Sequence, residues 1–286
     1  MTSDRDDKDR ARRLEAENAR LQNDVSQLSA ELSRIQREQV EYLQNVSHQL
    51  VAPLNAIKWH IENLTSNRIG IERARKVMRS IYSQSTIAVH LAKNFALMSN
   101  LEEDHALSAL KEPLQEISLY VLAVNIADDF QPQGWDREIN ISVAGHGFED
   151  GPAVLVMKPL MSQVFSNIVE NAVKYSRSNT TIRISGSFDI PNDQARIVFS
   201  NQGMALSSAD STTVFERGFR STEARSKYPA GTGFGLYIAR RIVELHEGSI
   251  TARPITGGAE FEVHLPIVGL KGKARYRDSK NRPTSR

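Results

Sequence analysis

EYLQNVSHQLVAPLNAIKWH, residues 41–60, holds a histidine inside an apolar helical repeat, with a proline five residues further on. Leu43, Val46, Leu50, Leu54, Ile57 and Ile61 follow one another at spacings of three and four, which is one face of a helix. His48 lies off that stripe, so its ring is expected to face solvent. A solvent-facing helical histidine is by itself an ordinary titratable side chain. Its meaning depends on the sequence around it.

Upstream, Leu14, Leu21, Leu28, Ile35 and Tyr42 are seven apart, and Asn18, Val25, Leu32, Gln39 and Val46 interleave four residues later. This a/d seam, flanked by Arg, Glu and Gln, predicts a parallel coiled coil, with Asn18 favouring two strands and fixing their register. The rival, one amphipathic helix laid on a globular core, has nothing near enough in sequence to cover the seam. The seam runs into the His48 helix, where Pro53 removes one backbone donor and is expected to bend it. TSNRIG, residues 65–70, is a turn signal. A second helix is predicted from about Ile71 to Leu101, with Met78, Ile81, Ser85, Ala88, Leu91 or Ala92, Phe95 and Met98 on one stripe. Two antiparallel helices cannot bury both stripes alone, whereas two copies form a four-helix bundle. A homodimer follows from that pattern.

The 286 residues favour roughly two domains. A composition of 40% apolar and 24% charged residues is that of an ordinary globular protein. The net charge of +2 gives no reason to expect a nucleic-acid partner. The pI of 8.8 owes much to the tail KGKARYRDSKNRPTSR, which is expected to be solvated and disordered. With no cysteine, disulfides, thiolate metal sites and cysteine nucleophiles are excluded. No apolar run approaches the ~18 residues of a membrane helix, and MTSDRDDKDR is not a signal peptide. A cytoplasmic location is expected, with any sensing done by a separate partner protein or by a longer chain of which this is a fragment.

From about Lys111 the periodicity changes. Helices are predicted over 117–130 and 159–176, and a third within GFGLYIARRIVELHEG (233–248). Short strands are predicted at 139–143 and 153–157, an antiparallel pair at 181–188 and 195–201, and two last strands in SITARP and GAEFEVHLP. Helices mixed with antiparallel strands give an α/β sandwich. On the helix 159–176, Asn167, Asn171 and Lys174 share a face, with Tyr175 beside it. An amide oxygen suits Mg²⁺ between phosphates, a lysine adds a positive point charge, and an aromatic ring can lie on a purine. Taken as a bare pattern, such residues mostly face solvent. In GTGFGL (231–236) the glycines let backbone approach phosphate, and the following helix points its N-terminus at negative charge. A dinucleotide fold is disfavoured, because no strand immediately precedes these glycines.

In this order, His48 in its helix, NIVENAVKYS (167–176), SNQGMAL (200–206), VFERGFRS (214–221) and GTGFGL resemble the catalytic core of a sensor histidine kinase of a two-component system. The resemblance implies an α+β chain in which a coiled coil and a dimerising helical hairpin precede an ATP-binding sandwich of the gyrase, chaperone and kinase type. The expected boundaries are a coiled-coil entry at 1–40, the phosphoacceptor hairpin at 41–105, the ATP-binding domain at 111–268 and a basic tail at 269–286. It implies that His48 accepts phosphate from ATP, with Gln49 orienting the ring, and passes it to an aspartate in a response regulator receiver domain. Asn171, helped by Asn167, would ligate Mg²⁺, and Lys174 and Tyr175 would hold the nucleotide. Asn201 and Gly203 would meet adenine, Arg217 or Arg220 would reach phosphate, and Gly231, Gly233, Gly235 and Leu236 would close the site. Phe215 and Phe219 are expected to anchor the packing.

Four residues depart from the family pattern. Gln49 stands where an acidic general base is common, Ala52 where Thr or Asn assists dephosphorylation, Asn201 where aspartate meets adenine, and Ala205 where glycine is usual. Asn167 stands where ATPases of the wider superfamily carry a water-activating glutamate, so hydrolysis by water is the poorer reading. Two alternatives to a kinase are a histidine phosphotransferase with a degenerate nucleotide domain, and a non-enzymatic coiled-coil scaffold.

Overall fold

The computed structural model describes residues 3–66, 70–101, 113–228 and 231–267. Two compact units emerge, Met1–His48 and Gln49–Arg286.

The first unit is helical and belongs to helix α1, Ser3–Ser66. Leu21, Val25, Leu28, Leu32 and Ile35 are all exposed along it, while Val46 is buried. This regular row of large apolar side chains in water follows the heptad spacing of the sequence. His48 is exposed, as its position off the stripe predicts. The side chains of Leu14, Gln39 and Tyr42 lie outside the described residues.

In the second unit α1 continues through the buried Pro53, and α2 spans Ile71–Leu101. The break between them falls within TSNRIG, of which residues 67–69 lie outside the described set, as do the side chain of Met98 and the basic tail. Val51, Leu54, Ile61, Met78 and Val89 are exposed on the two helices. α2 also lies against the sandwich, where the Tyr82 hydroxyl donates to Asp129 Oδ1 at 2.9 Å.

The sandwich begins with β1 (Gln115–Ile117), where a helix start had been expected, and α3 runs Leu119–Trp135. The shift is local chemistry: Ser118 takes an extended backbone and its Oγ accepts from Val121 N, a cap that sets the first helical turn. There follow β2 (Ile139–Val143), β3 (Val154–Val156), α4 (Lys158–Tyr175), β4 (Thr180–Asp189) and β5 (Gln194–Gln202). Two short helices, α5 (Asp210–Thr213) and α6 (Thr222–Lys227), precede α7 (Gly235–Leu245), β6 (Ser249–Ile255) and β7 (Gly258–Pro266). The main sheet has the order β2-β4-β5-β7-β6, and β1 pairs with β3 in a two-stranded sheet. β2 and β4 pair in parallel, so the sheet is mixed rather than wholly antiparallel. The crossover through β3 and α4 supplies the long connection that a parallel pair needs.

One face of the sheet is the core. Phe165 of α4 meets Phe199 of β5 edge to face at 5.1 Å, among buried Ile168, Ile182, Ile184, Ile197, Ile242 and Val263. The other face carries charge pairs: Arg196 donates to Glu262 at 2.5 Å, and the hydrogen bond from Arg196, aided by His264, takes the Glu262 carboxyl down to about 2.

His246, after the last turn of α7, fixes where α4 begins. Its Nε2 accepts from Met157 N at 3.0 Å and its Nδ1 lies 2.7 Å from Ile242 O, an arrangement that requires a neutral ring protonated at Nδ1. Met157 has no side-chain cap of its own, so the imidazole satisfies this orphan donor. Burial pushes His246 below its usual 6.5, outweighing the hydrogen bond to Ile242, which raises it. The folded value lies below the unfolded one, so the stabilisation is complete above about pH 6.5 and is lost as the pH falls from there through the folded value. The thermal midpoint is expected to drop on acidification from pH 7 to about 5, and to drop less in His246→Asn. Equal slopes for the two proteins would refute the assignment.

Candidate nucleotide site

A cavity of about 600 Å³ opens in the second unit. Asn167, Asn171, Lys174 and Tyr175 of α4 form one wall, as their shared helical face predicts. Asn201, Met204, Ala205 and Leu206 form a second, and Phe219, Arg220, Gly231, Thr232, Gly233, Gly235 and Leu236 a third. Gln49, Ala52 and Pro53 of α1 and Gln84, Ile87 and Asn94 of α2 line it from the hairpin.

On α4, Asn167 is almost fully buried. Asn94 Nδ2 donates to its Oδ1 at 2.8 Å, and Gln163 Nε2 donates to Asn94 Oδ1 at 2.9 Å. Asn167 Nδ2 is buried without a hydrogen-bond partner among the described residues, a costly arrangement for an amide with nothing to meet. Glu170, one residue before Asn171, lies 2.7 Å from His90 Nδ1 of α2. Burial raises the Glu170 carboxyl, but His90 and Lys174 together outweigh it and hold it below the usual carboxylate range. Burial lowers Lys174, only partly opposed by Glu170, and Arg220 lowers it further. An anion in the cavity would reverse that balance. The Lys174 ammonium sits 5.5 Å from the Tyr175 ring centre and 5.9 Å from that of Tyr228.

The second wall is built by close backbone approach. Gly203 bridges Ser176, and a Cβ on it would lie 2.0 Å from Tyr175 O, so no larger residue fits. Asn201 Nδ2 donates to Ser176 Oγ, which donates in turn to Ala172 O. With its nitrogen committed, the Asn201 amide keeps its oxygen as an acceptor.

The third wall separates two arginines that the sequence left as alternatives. Arg220 lines the cavity and donates to the carbonyls of Gly231 and Ala224 at 3.0 Å each, and to Tyr228 O. Arg217 is not among the lining residues and lies over the Phe234 ring at 5.8 Å. Phe215 is buried, edge-on to Phe261, while Phe219 reaches the cavity. Gly233 has φ +72°, and a Cβ there would strike the Gly218 backbone at 2.7 Å. These glycines bring backbone beside Lys174 at the start of α7, where helix N–H groups favour an anion.

The donor set fits a magnesium nucleotide. Among the described residues no group of three or more His, Asp or Glu side chains could hold a metal alone. Mg²⁺ held by one or two protein oxygens together with phosphates and waters needs no such group. Amide oxygens, a desolvated lysine and a glycine-lined helix start supply that chemistry.

Sequence reasoning missed Asn94, Gln163, His90, Glu170, Arg137 and Tyr228. Tyr228 alone left a trace, as an aromatic residue in an otherwise polar segment.

A mixed α/β sandwich with these walls defines an ATPase-type nucleotide domain, and residues 158–269 match the family described as histidine kinase-, DNA gyrase B-, and HSP90-like ATPase. Over most of its length the chain is similar to sensor histidine kinases. It is 25% identical over 257 residues to the signal transduction histidine-protein kinase BaeS of Escherichia coli K12, covering 88% of this chain and 52% of BaeS. It is 26% identical over 219 residues to the histidine protein kinase SaeS of Staphylococcus epidermidis, covering 76% and 60%, and 24% identical over 240 residues to the sensor protein kinase WalK of Staphylococcus aureus, covering 82% and 55%. The chain thus spans little more than half the length of these relatives. The crystal structure of full-length ShkA in complex with AMPPNP shares the fold at 20% identity, with a TM-score of 0.53 over 79% of this chain and 45% of that one. Among the described residues no helix is long and apolar enough to cross a membrane.

Proposed function

We propose that this chain is an ATP-dependent protein histidine kinase. A ring nitrogen of His48 forms a bond to the γ-phosphorus of ATP while the bond to the β,γ-bridging oxygen breaks and ADP leaves. The phosphoryl group then passes to an aspartate of a response regulator receiver domain. Asn171 would hold Mg²⁺, helped by Asn167 through the lone pair of Oδ1 that the Asn94 hydrogen bond leaves free, and the ion would neutralise phosphate charge. Lys174 and Arg220 face the phosphates, Tyr175 the base or ribose, and the Asn201 oxygen accepts from the adenine amino group. The Gly231–Gly235 segment and Leu236 close over the phosphates, and Arg217 serves packing. Catalysis is positioning and charge neutralisation.

The apolar seams of α1 and α2 support a homodimer joined by a coiled coil and a four-helix bundle, with the hairpin at 41–105 and the nucleotide domain at 111–268. ATP and receiver domains are cytoplasmic, and the kinase is proposed to work there, taking its signal from a separate sensor or from a longer chain.

The observation that carries this reading is the convergence of Asn167, Asn171 and Lys174 with Asn201 and the glycine segment on one cavity. Incubation of the full chain with γ-labelled ATP and Mg²⁺ tests it: acid-labile label on the protein, chased onto a receiver domain, is expected. Label that never appears although ATP binds would favour a relay protein instead.

Gln49 lines the cavity but cannot take the imidazole proton. Restoring a carboxylate in Gln49→Glu is expected to speed autophosphorylation by about tenfold or more. An unchanged single-turnover rate would show that proton removal is not limiting. Ala52 offers no hydroxyl or amide to a water, so removal of phosphate from the regulator by that route is expected to be weak.

A further inference from the structure

Arg137 lies in the turn after α3, outside every motif above, yet it lines the cavity. Its half-buried guanidinium makes four donations. Nη1 reaches the carbonyls of Val173 and of Lys174, the latter at 2.8 Å, and Nη2 reaches Ser176 O at 3.4 Å and the Tyr228 hydroxyl at 3.0 Å. Three of these acceptors are carbonyls at the C-terminal end of α4, where a helix has orphan oxygens and the negative end of its dipole. The fourth belongs to the polar segment that carries α6.

Tyr228 is therefore held on two sides. Its ring stands edge-on to Tyr175, with centres 5.4 Å apart, and the Arg137 guanidinium lies 5.8 Å from its centre. Its carbonyl is taken by Arg220. One planar fork thus ties the end of the helix bearing Lys174 and Tyr175 to the segment from which Ser221 and Ala224 line the cavity. A lysine could cap the carbonyls but has no fork to span both.

We propose that Arg137 is a positioning residue for the nucleotide. Through the Tyr228 hydroxyl it holds segment 221–228 against α4, and through the α4 carbonyls it fixes Lys174 and Tyr175 in the orientation that receives phosphate and base. This inference rests on the ATP-binding reading above.

The full chain is compared with Tyr228→Phe, Arg137→Lys and the double variant, measuring Mg-ATP affinity, KM and kcat for autophosphorylation, thermal midpoint, and tryptic cleavage after the exposed Arg225 and Lys227. Tyr228→Phe, which deletes one acceptor, is expected to weaken Mg-ATP binding about three- to tenfold, with KM rising more than kcat falls and the midpoint unmoved. Arg137→Lys is expected to weaken it further. The double variant should bind no worse than Arg137→Lys, because both changes break the same link. ATP should protect Arg225 and Lys227 from trypsin in the parent protein and less so in the variants. Multiplicative losses, or a lowered midpoint with affinity and cleavage unchanged, would overturn the proposal and leave Arg137 a structural cap. Parent protein that binds no Mg-ATP would overturn the ATP reading and this inference with it, whereas a binding parent with unaffected variants would overturn this inference alone.

Discussion

His48→Ala is expected to abolish acid-labile phosphorylation while Mg-ATP affinity stays within about twofold of the parent, since a group proposed to accept phosphate by covalent attack cannot be replaced by geometry. The imidazole is exposed, so its loss leaves no cavity and no unsatisfied partner. Surface substitutions of this kind usually change stability by no more than ~0.5 kcal/mol. The thermal midpoint is therefore the control that separates a chemical defect from a folding one. Two outcomes refute the kinase assignment. Label remaining on His48→Ala would mean that another residue accepts it. Rapid phosphate release unaffected by the substitution would mean that water, rather than the imidazole, receives the γ-phosphate. The second outcome is disfavoured because Asn167 has no proton-accepting oxygen comparable to a carboxylate.

Asn171→Ala has the second largest expected effect. The side chain is half-buried in the cavity wall, and in the proposed kinase it would supply an oxygen to the cation beside the phosphates. Removing one preorganised electrostatic partner from such a site costs on the order of 100-fold in rate. Autophosphorylation at saturating ATP is expected to fall by that factor, with magnesium dependence shifted to higher concentration. Asn171→Asp discriminates further: it keeps an oxygen ligand but adds negative charge beside Glu170 and the phosphates, so partial activity at raised Mg²⁺ is expected. If Asn171→Ala retains parental rate and magnesium dependence, α4 is not the metal-holding wall.

Much of this was local enough to read along the chain. The 3.6-residue period places Asn167, Asn171 and Lys174 on one face wherever the helix forms, and the cavity wall carries all three. The break between α1 and α2 falls at the turn residues, and alternating burial along β5 and β7 follows the two-residue period of their sequences. The exposed seam of α1 is likewise a pattern in one segment. The sequence was least informative where an element's neighbour decides its pairing. β2 could not be known to run parallel to β4, because pairing direction depends on the path of the intervening chain rather than on either strand.

Between Arg217 and Arg220 the residue type is the same and the separation is three, so composition could not choose. The choice was made by the turn at Gly218, which has φ +70°, with Arg217 left over Phe234 and Arg220 in the cavity. By itself, then, the sequence determined the periodic elements and the residue types available to a nucleotide. Tertiary structure alone decided which distant residues meet, in the site and in the framework that holds it. Asn94 to Asn167, His246 to Met157 and Arg137 to Tyr228 are pairs 73, 89 and 91 residues apart. Hydrogen bonds are directional and short, so such pairs exist only once helices and sheet have packed, and no periodicity in a linear chain records them.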